Sequence, residues 1–115
     1  MDTYIPFFKF CVEQDKTHYK SYCELGKIYL KKGNLEQSAA YLKKCLSINS
    51  KYVPGLVAMG NLLFETSHFP HATKYHEEAL KYNPTDIQAL IGMGNALYDM
   101  GKPAEAADYY MKAIR

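Results

Sequence analysis

Tryptophan is absent from the 115 residues, and there are only three cysteines. Cys11, Cys23 and Cys45 are odd in number and form no close metal-type pair. A disulfide framework and a zinc ribbon are therefore disfavoured, and a reducing, cytoplasmic compartment is expected. No apolar run approaches the roughly 20 residues that cross a bilayer, so no membrane span is expected. The opening Met1-Asp2-Thr3 lacks the basic and apolar stretches of a secretory signal. Neither sign of charge dominates: 14 basic and 12 acidic residues leave +2, too little to imply a nucleic-acid or membrane partner by charge alone. What remains, 48% hydrophobic and 23% charged, is the composition of an ordinary folded chain.

The total conceals an asymmetry. Residues 1–57 sum to +4 and residues 58–115 to −2, which favours an acidic partner at the first half if the lysines are not simply solvated. A stronger pattern is self-similarity. Gly26, Gly60 and Gly94 recur every 34 residues, as Leu25-Gly26, Met59-Gly60 and Met93-Gly94. Tyr22, Leu56 and Leu90 precede them by four residues, and Tyr29, Leu63 and Leu97 follow by three. Ser38, Ala72 and Ala106 follow by twelve, and Cys45, Ala79 and Ala113 by nineteen. Cys11 lies 34 residues before Cys45, so the register extends into the N-terminal segment.

Each unit reads as two helices, because apolar residues such as Tyr22, Leu25, Ile28 and Tyr29, then Ala39, Leu42, Cys45 and Leu46, recur at helical spacing. Gly33 and Gly101 stand where a helix should end in a left-handed residue. Pro54, Pro70 and Pro103 stand where the missing N–H costs least, and Asp86 can cap the helix after Pro84. Helices are predicted at about 19–32, 35–48, 54–66, 70–82, 87–100 and 103–115. Glycine inside a helix costs roughly 1 kcal/mol relative to alanine. Three at one repeat position therefore predict close approach, with the small Ser38, Ala72 and Ala106 of the second helix pressed against the first.

These residues resemble the tetratricopeptide repeat, whose pattern asks for a large residue, then Leu, Gly, Tyr, Ala, an aromatic, Ala and Pro along 34 residues. The resemblance implies an all-α, right-handed superhelical solenoid of antiparallel helix hairpins. The units are residues 19–52, 53–86 and 87–115, the last incomplete and without a capping helix, after a short N-terminal segment, 1–18, forming one helix on the first repeat. Departures are Cys45 and Ser50 in the first unit and His76, at the aromatic position, in the second. Ser67-His68 replaces the turn glycine of the other units, so a strained or differently shaped turn is expected there.

Catalytic chemistry finds no constellation: acids are scattered over helix faces, and no serine has a paired histidine in a recognisable motif. The glycines sit inside helices rather than after a strand, so no phosphate loop is present. No catalytic residue, metal or cofactor is assigned. Cys11 and Cys45 are expected in the core, while Cys23 falls on the inner face and is expected to be accessible. His68, His71 and His76 cluster without the four-residue spacing that aligns metal ligands on a helix; a solvated, non-metal cluster is expected, with packing the alternative for His76. Most of the eleven tyrosines, among them Tyr22, Tyr29, Tyr41, Tyr75 and Tyr109, sit at packing periods and not on a nucleic-acid surface.

The resemblance further implies a concave groove lined by the first helix of each hairpin, gripping a peptide or partner helix. Placed on that pattern, the lining is Lys20, Cys23, Glu24, Lys27 and Lys31, then Val57, Ala58, Asn61, Phe64 and Glu65, then Ile91, Gly92, Asn95, Tyr98 and Asp99. Phe64, Tyr98 and Ile91 offer apolar contact, Asn61 and Asn95 can bond a ligand backbone, and the lysines make one end basic. An acidic peptide with apolar anchors would suit it. The family's co-chaperone clamp for acidic C-termini is disfavoured, since its carboxylate-gripping positions hold Cys23, Lys27, Ala58, Gln88 and Gly92. The expected function is a non-catalytic protein-interaction scaffold within a larger protein or assembly. The alternative is the substrate-presenting arm of an enzyme whose catalytic domain lies elsewhere. Self-association through the uncapped ends is a further way to cover the apolar side of the last helix.

Overall fold

The computed structural model describes residues 4–115, so the first three residues of the 1–18 segment lie outside it. Among the described residues there are seven α-helices and no strand: α1 Tyr4–Gln14, α2 Tyr19–Lys31, α3 Leu35–Ile48, α4 Val53–Glu65, α5 Phe69–Tyr82, α6 Ile87–Asp99 and α7 Pro103–Ile114. From α2 onward the boundaries fall within one residue of the sequence expectation, because the punctuation acts locally. The Asn34 side chain accepts from the Gln37 N–H at 3.2 Å and Asp86 from the Ala89 N–H at 3.0 Å. The Nδ1 of His18 takes the same role toward Ser21 at 3.3 Å. Pro54, Pro70 and Pro103 occupy the first turns of α4, α5 and α7.

The hairpin turns share one shape. Gly33 and Gly101 adopt φ of +82° and +81°, and Ser67 adopts the same left-handed conformation at 62°. In each, the left-handed residue and its successor donate to carbonyls of the preceding helix: Gly33 to Leu30 and Asn34 to Tyr29, Ser67 to Phe64 and His68 to Leu63, Gly101 to Tyr98 and Lys102 to Leu97. The Ser67 turn is therefore strained, as expected, but not differently shaped. Ser67 bears a conformation that costs a residue with a Cβ roughly 1–2 kcal/mol.

Helices α2 and α3, α4 and α5, and α6 and α7 pack as pairs, and α3 and α5 also pack on the first helix of the following pair. The first helices α2, α4 and α6 touch in succession. The result is an elongated stack of 46 × 26 × 22 Å. Apolar side chains form a row of small clusters along it, among them Leu42, Cys45 and Met59, then Leu56, Ala79 and Ala89, then Met93, Leu97 and Ala106.

The three repeated glycines do mark close approach, but the intruder is not the small residue foreseen. A Cβ on Gly26 would lie 2.5 Å from Leu42 Cγ, on Gly60 2.6 Å from the His76 imidazole, and on Gly94 2.5 Å from the Tyr110 ring. The space of the absent side chain is filled by a large residue sixteen positions on. Ser38 contributes differently: its hydroxyl donates to the Gly26 carbonyl at 2.7 Å inside the hairpin.

His76 splits the histidine cluster, taking the packing role foreseen for its position instead of a solvated one. His68 and His71 are exposed, but His76 is 1% exposed, wedged between Gly60 of α4 and Gly92 of α6. Its Nδ1 is buried without a hydrogen-bond partner among the described residues. Desolvation lowers its pKa to about 4, against a weak opposite pull from Asp86.

Candidate functional site

The first helices bring one cavity together. About 360 Å³ in volume, it lies between α2, α4 and the start of α6. Five residues foreseen from sequence meet there: Lys27, Lys31, Val57, Ala58 and Asn61. Their spacing explains it. Lys27 and Lys31 are one turn apart on α2, and Val57 and Asn61 are one turn apart on α4, so each pair shares a helix face. Val57 and the buried Ala58 give an apolar floor, Asn61 a two-sided hydrogen-bonding amide, and the two ammonium groups a cationic rim. Lys27 pairs with Glu24 at 3.5 Å across an exposed contact, which leaves its charge largely available to a ligand.

Other expected positions fall elsewhere. Glu24 faces a second cavity, at the junction of α1 and α2. Lys20 is exposed on the first turn of α2, outside both cavities. Phe64 turns toward the end of its own hairpin, with its ring 5.4 Å from that of Phe69. Ile91, Asn95 and Tyr98 are exposed along α6 beyond the cavity, and Asn95 Oδ1 already accepts from the Tyr110 hydroxyl.

Cys23 must be withdrawn from the lining. It is 0% exposed, packed with Leu42, Cys45, Ala58 and Met59 where α2 meets α3 and α4. The neighbouring Cys45 thiol and burial together hold its own thiol well above the ordinary range, so it is neither a ligand nor a nucleophile. Residues absent from the sequence list are Leu30, Pro54, Asp86 and Gln88. The last two come from the linker and first turn of α6, and their sequence signals were the cap assigned to Asp86 and the place of Gln88 at a clamp position of the family. Among the described residues no helix is long and apolar enough to cross a membrane.

The profile of the tetratricopeptide repeat family matches residues 19–52 and 87–115. The chain belongs to the tetratricopeptide repeat family. The segment 53–86 between the two matches folds into the same kind of helix pair. No curated protein sequence matches. Among solved structures, the chain resembles MamA protein at 22% identity and a TM-score of 0.84, over 98% of this chain and 62% of that one. It resembles YrrB, described as a TPR protein with an unusual peptide-binding site, at 20% identity and a TM-score of 0.85, over 93% and 55%. PilF of Pseudomonas aeruginosa aligns at 21% identity and a TM-score of 0.86, over 94% and 50%. The chain thus spans between half and about five-eighths of these proteins, and likeness at this identity concerns the fold.

Proposed function

We propose that the chain is a non-catalytic protein-interaction module whose concave cavity binds a peptide with an apolar anchor beside acidic residues. The observation that carries this reading is the convergence of Lys27, Lys31, Val57 and Asn61 on one cavity. An apolar floor with a few placed polar groups is how proteins hold short ligands in one orientation. Of the carboxylates beside the two lysines, Asp86 is already engaged as the cap of α6 and Glu24 meets Lys27 across an exposed contact, so the rim favours anions. Family membership supports the class of function, since these repeats generally serve as interaction surfaces. The odd cysteine number and the two buried thiols fit a reducing compartment such as the cytoplasm.

Selection from a displayed library of random peptides tests the proposal. The selected peptides should share Asp or Glu flanking a Leu, Ile or Phe. Binding should weaken about tenfold or more in Lys27→Glu/Lys31→Glu, and also in Asn61→Ala/Gln88→Ala. Selected peptides without acidic residues, or indifferent to both variants, would overturn it.

A further inference from the structure

In each of the three hairpins the second helix leans on a first helix of its own: α3 on α2, α5 on α4, α7 on α6. Helix α1 has the place of a second helix without such a partner among the described residues. It packs on α2 as α3 packs on α4 and α5 on α6. The 34-residue register agrees, because Phe8 stands at the position of Leu42, His76 and Tyr110, and Tyr4 at that of Ser38, Ala72 and Ala106. Those are the residues that press on the glycine of their own first helix or lie buried beside it. On α1 the same face is open: Tyr4 is 60% exposed and Phe8 only half-buried.

The facing side of α2 shows the same gap. Glu24 and Ile28 correspond to Ala58 and Leu62 of α4 and to Gly92 and Ala96 of α6. Those four are buried, whereas Glu24 and Ile28 are half-buried. Between the two open faces lies a cavity of about 490 Å³, lined by Tyr4, Phe8, Glu24, Lys27, Ile28 and Lys31 among others. Its walls are the ones that a first helix fills elsewhere in the stack.

We propose that this cavity is the docking seat for a helix of a partner protein, one that presents Gly to Phe8 and acidic residues to Lys27 and Lys31. The small residue follows from the packing rule of the chain itself, in which Leu42, His76 and Tyr110 each require a glycine opposite. The acidic flank follows from charge: the two lysines stand one turn apart on the rim, in the half of the sequence that carries +4. Internal seats of this stack use uncharged residues, Ala58 with Leu62 and Gly92 with Ala96. The charged Glu24 and Lys27 at the matching edge suit a helix that arrives from water and leaves again. A second copy is a poor source, because its own first helices, α2, α4 and α6, are each committed to a hairpin. The seat adjoins the concave cavity and shares Lys27 and Lys31 with it, but Tyr4 and Phe8 belong to the seat alone, so either site can fail without the other.

The probe is a fluorescein-labelled synthetic peptide with the sequence of residues 86–100, a first helix with a glycine at Gly94 and acids at Asp86 and Asp99. Fluorescence anisotropy should show binding that weakens about tenfold in Tyr4→Ser/Phe8→Ser, about tenfold in Lys27→Glu/Lys31→Glu, and about tenfold when the peptide carries Leu in place of Gly94. Tyr4→Ser alone, at an exposed position, should weaken it severalfold without touching the fold. The Asn61→Ala/Gln88→Ala chain should bind within twofold of wild type, and amide shifts should change on α1 and α2. The proposal falls if the peptide does not bind, if binding ignores the Tyr4 and Phe8 substitutions, or if shifts move on α4 and α6 alone. It also falls if sedimentation shows the chain alone forming a dimer that Tyr4→Ser dissolves, since the occupant is then a second copy.

Discussion

Replacing His76 with leucine tests the packing logic at its most exacting point. The imidazole is clasped between Gly60 and Gly92, and a Cβ on either glycine would lie within 2.6 Å of the ring. Leucine does the same work in the first hairpin, where Leu42 presses on Gly26. His76→Leu should therefore fit and should remove a buried Nδ1 that has no partner among the described residues, stabilising the fold by about 1 kcal/mol at pH 7. The larger effect is its pH dependence. An ordinary imidazole titrates at 6.5, and desolvation holds that of His76 down to about 4. The unfolded chain thus binds a proton that the folded chain refuses. Stability is complete above pH 6.5 and is lost as pH falls from there to about 4, by roughly 2 kcal/mol at pH 5 and roughly 3 kcal/mol at the lower end. The His76→Leu chain lacks that loss, and every group common to the two chains cancels in the comparison. Urea unfolding followed by far-ultraviolet circular dichroism at pH 7.5, 6 and 5 measures the difference. The midpoints of the two chains should diverge as the pH drops. Parallel curves, or a leucine chain less stable than wild type at pH 5, would refute the clasp.

Three further outcomes are expected. Gly92→Ala and Gly60→Ala should each cost about 1–3 kcal/mol in urea unfolding despite alanine's better helix propensity, whereas Gly55→Ala, where the nearest contacts are at 3.1 Å to Cys45 Sγ and a Leu46 methyl, should cost less. In the His76→Ala background the Gly92 penalty should vanish, which a double-mutant cycle reads directly. Ser67→Gly should stabilise by about 1 kcal/mol, since the left-handed φ of 62° is strained only for a residue with a Cβ. Toward an aromatic disulfide reagent, half-buried Cys11 should react in the native chain, and Cys23 and Cys45 only in denaturant.

The repeat and its helices were legible because glycine, proline and capping residues act locally, and a 34-residue period repeats their signal three times. The cavity was partly legible: Lys27, Lys31, Val57, Ala58 and Asn61 follow once the groove that the family resemblance implies is laid on the helices. Cys23 was misplaced because α2 turns apolar surface toward both α3 and α4, and periodicity does not say which inward position those two helices cover. Asp86 and Gln88 escaped because they reach the cavity from the neighbouring unit, a matter of stacking between repeats. The rule that the glycine faces a residue sixteen positions on was hidden by chemical variety, since Leu42, His76 and Tyr110 share size and place but not type. The open face of α1 had one sequence signal, the spacing of Cys11 and Cys45, and gained meaning only once α1 was seen against α2.

The central claim is that the concave cavity is where a peptide binds. A library-selected peptide titrated into the isotope-labelled chain, with amide shifts followed residue by residue, tests it most directly. The largest changes should fall at Lys27, Lys31, Val57, Ala58, Asn61 and Gln88. Changes gathered instead on α3, α5 and α7, with those six residues unmoved, would contradict it.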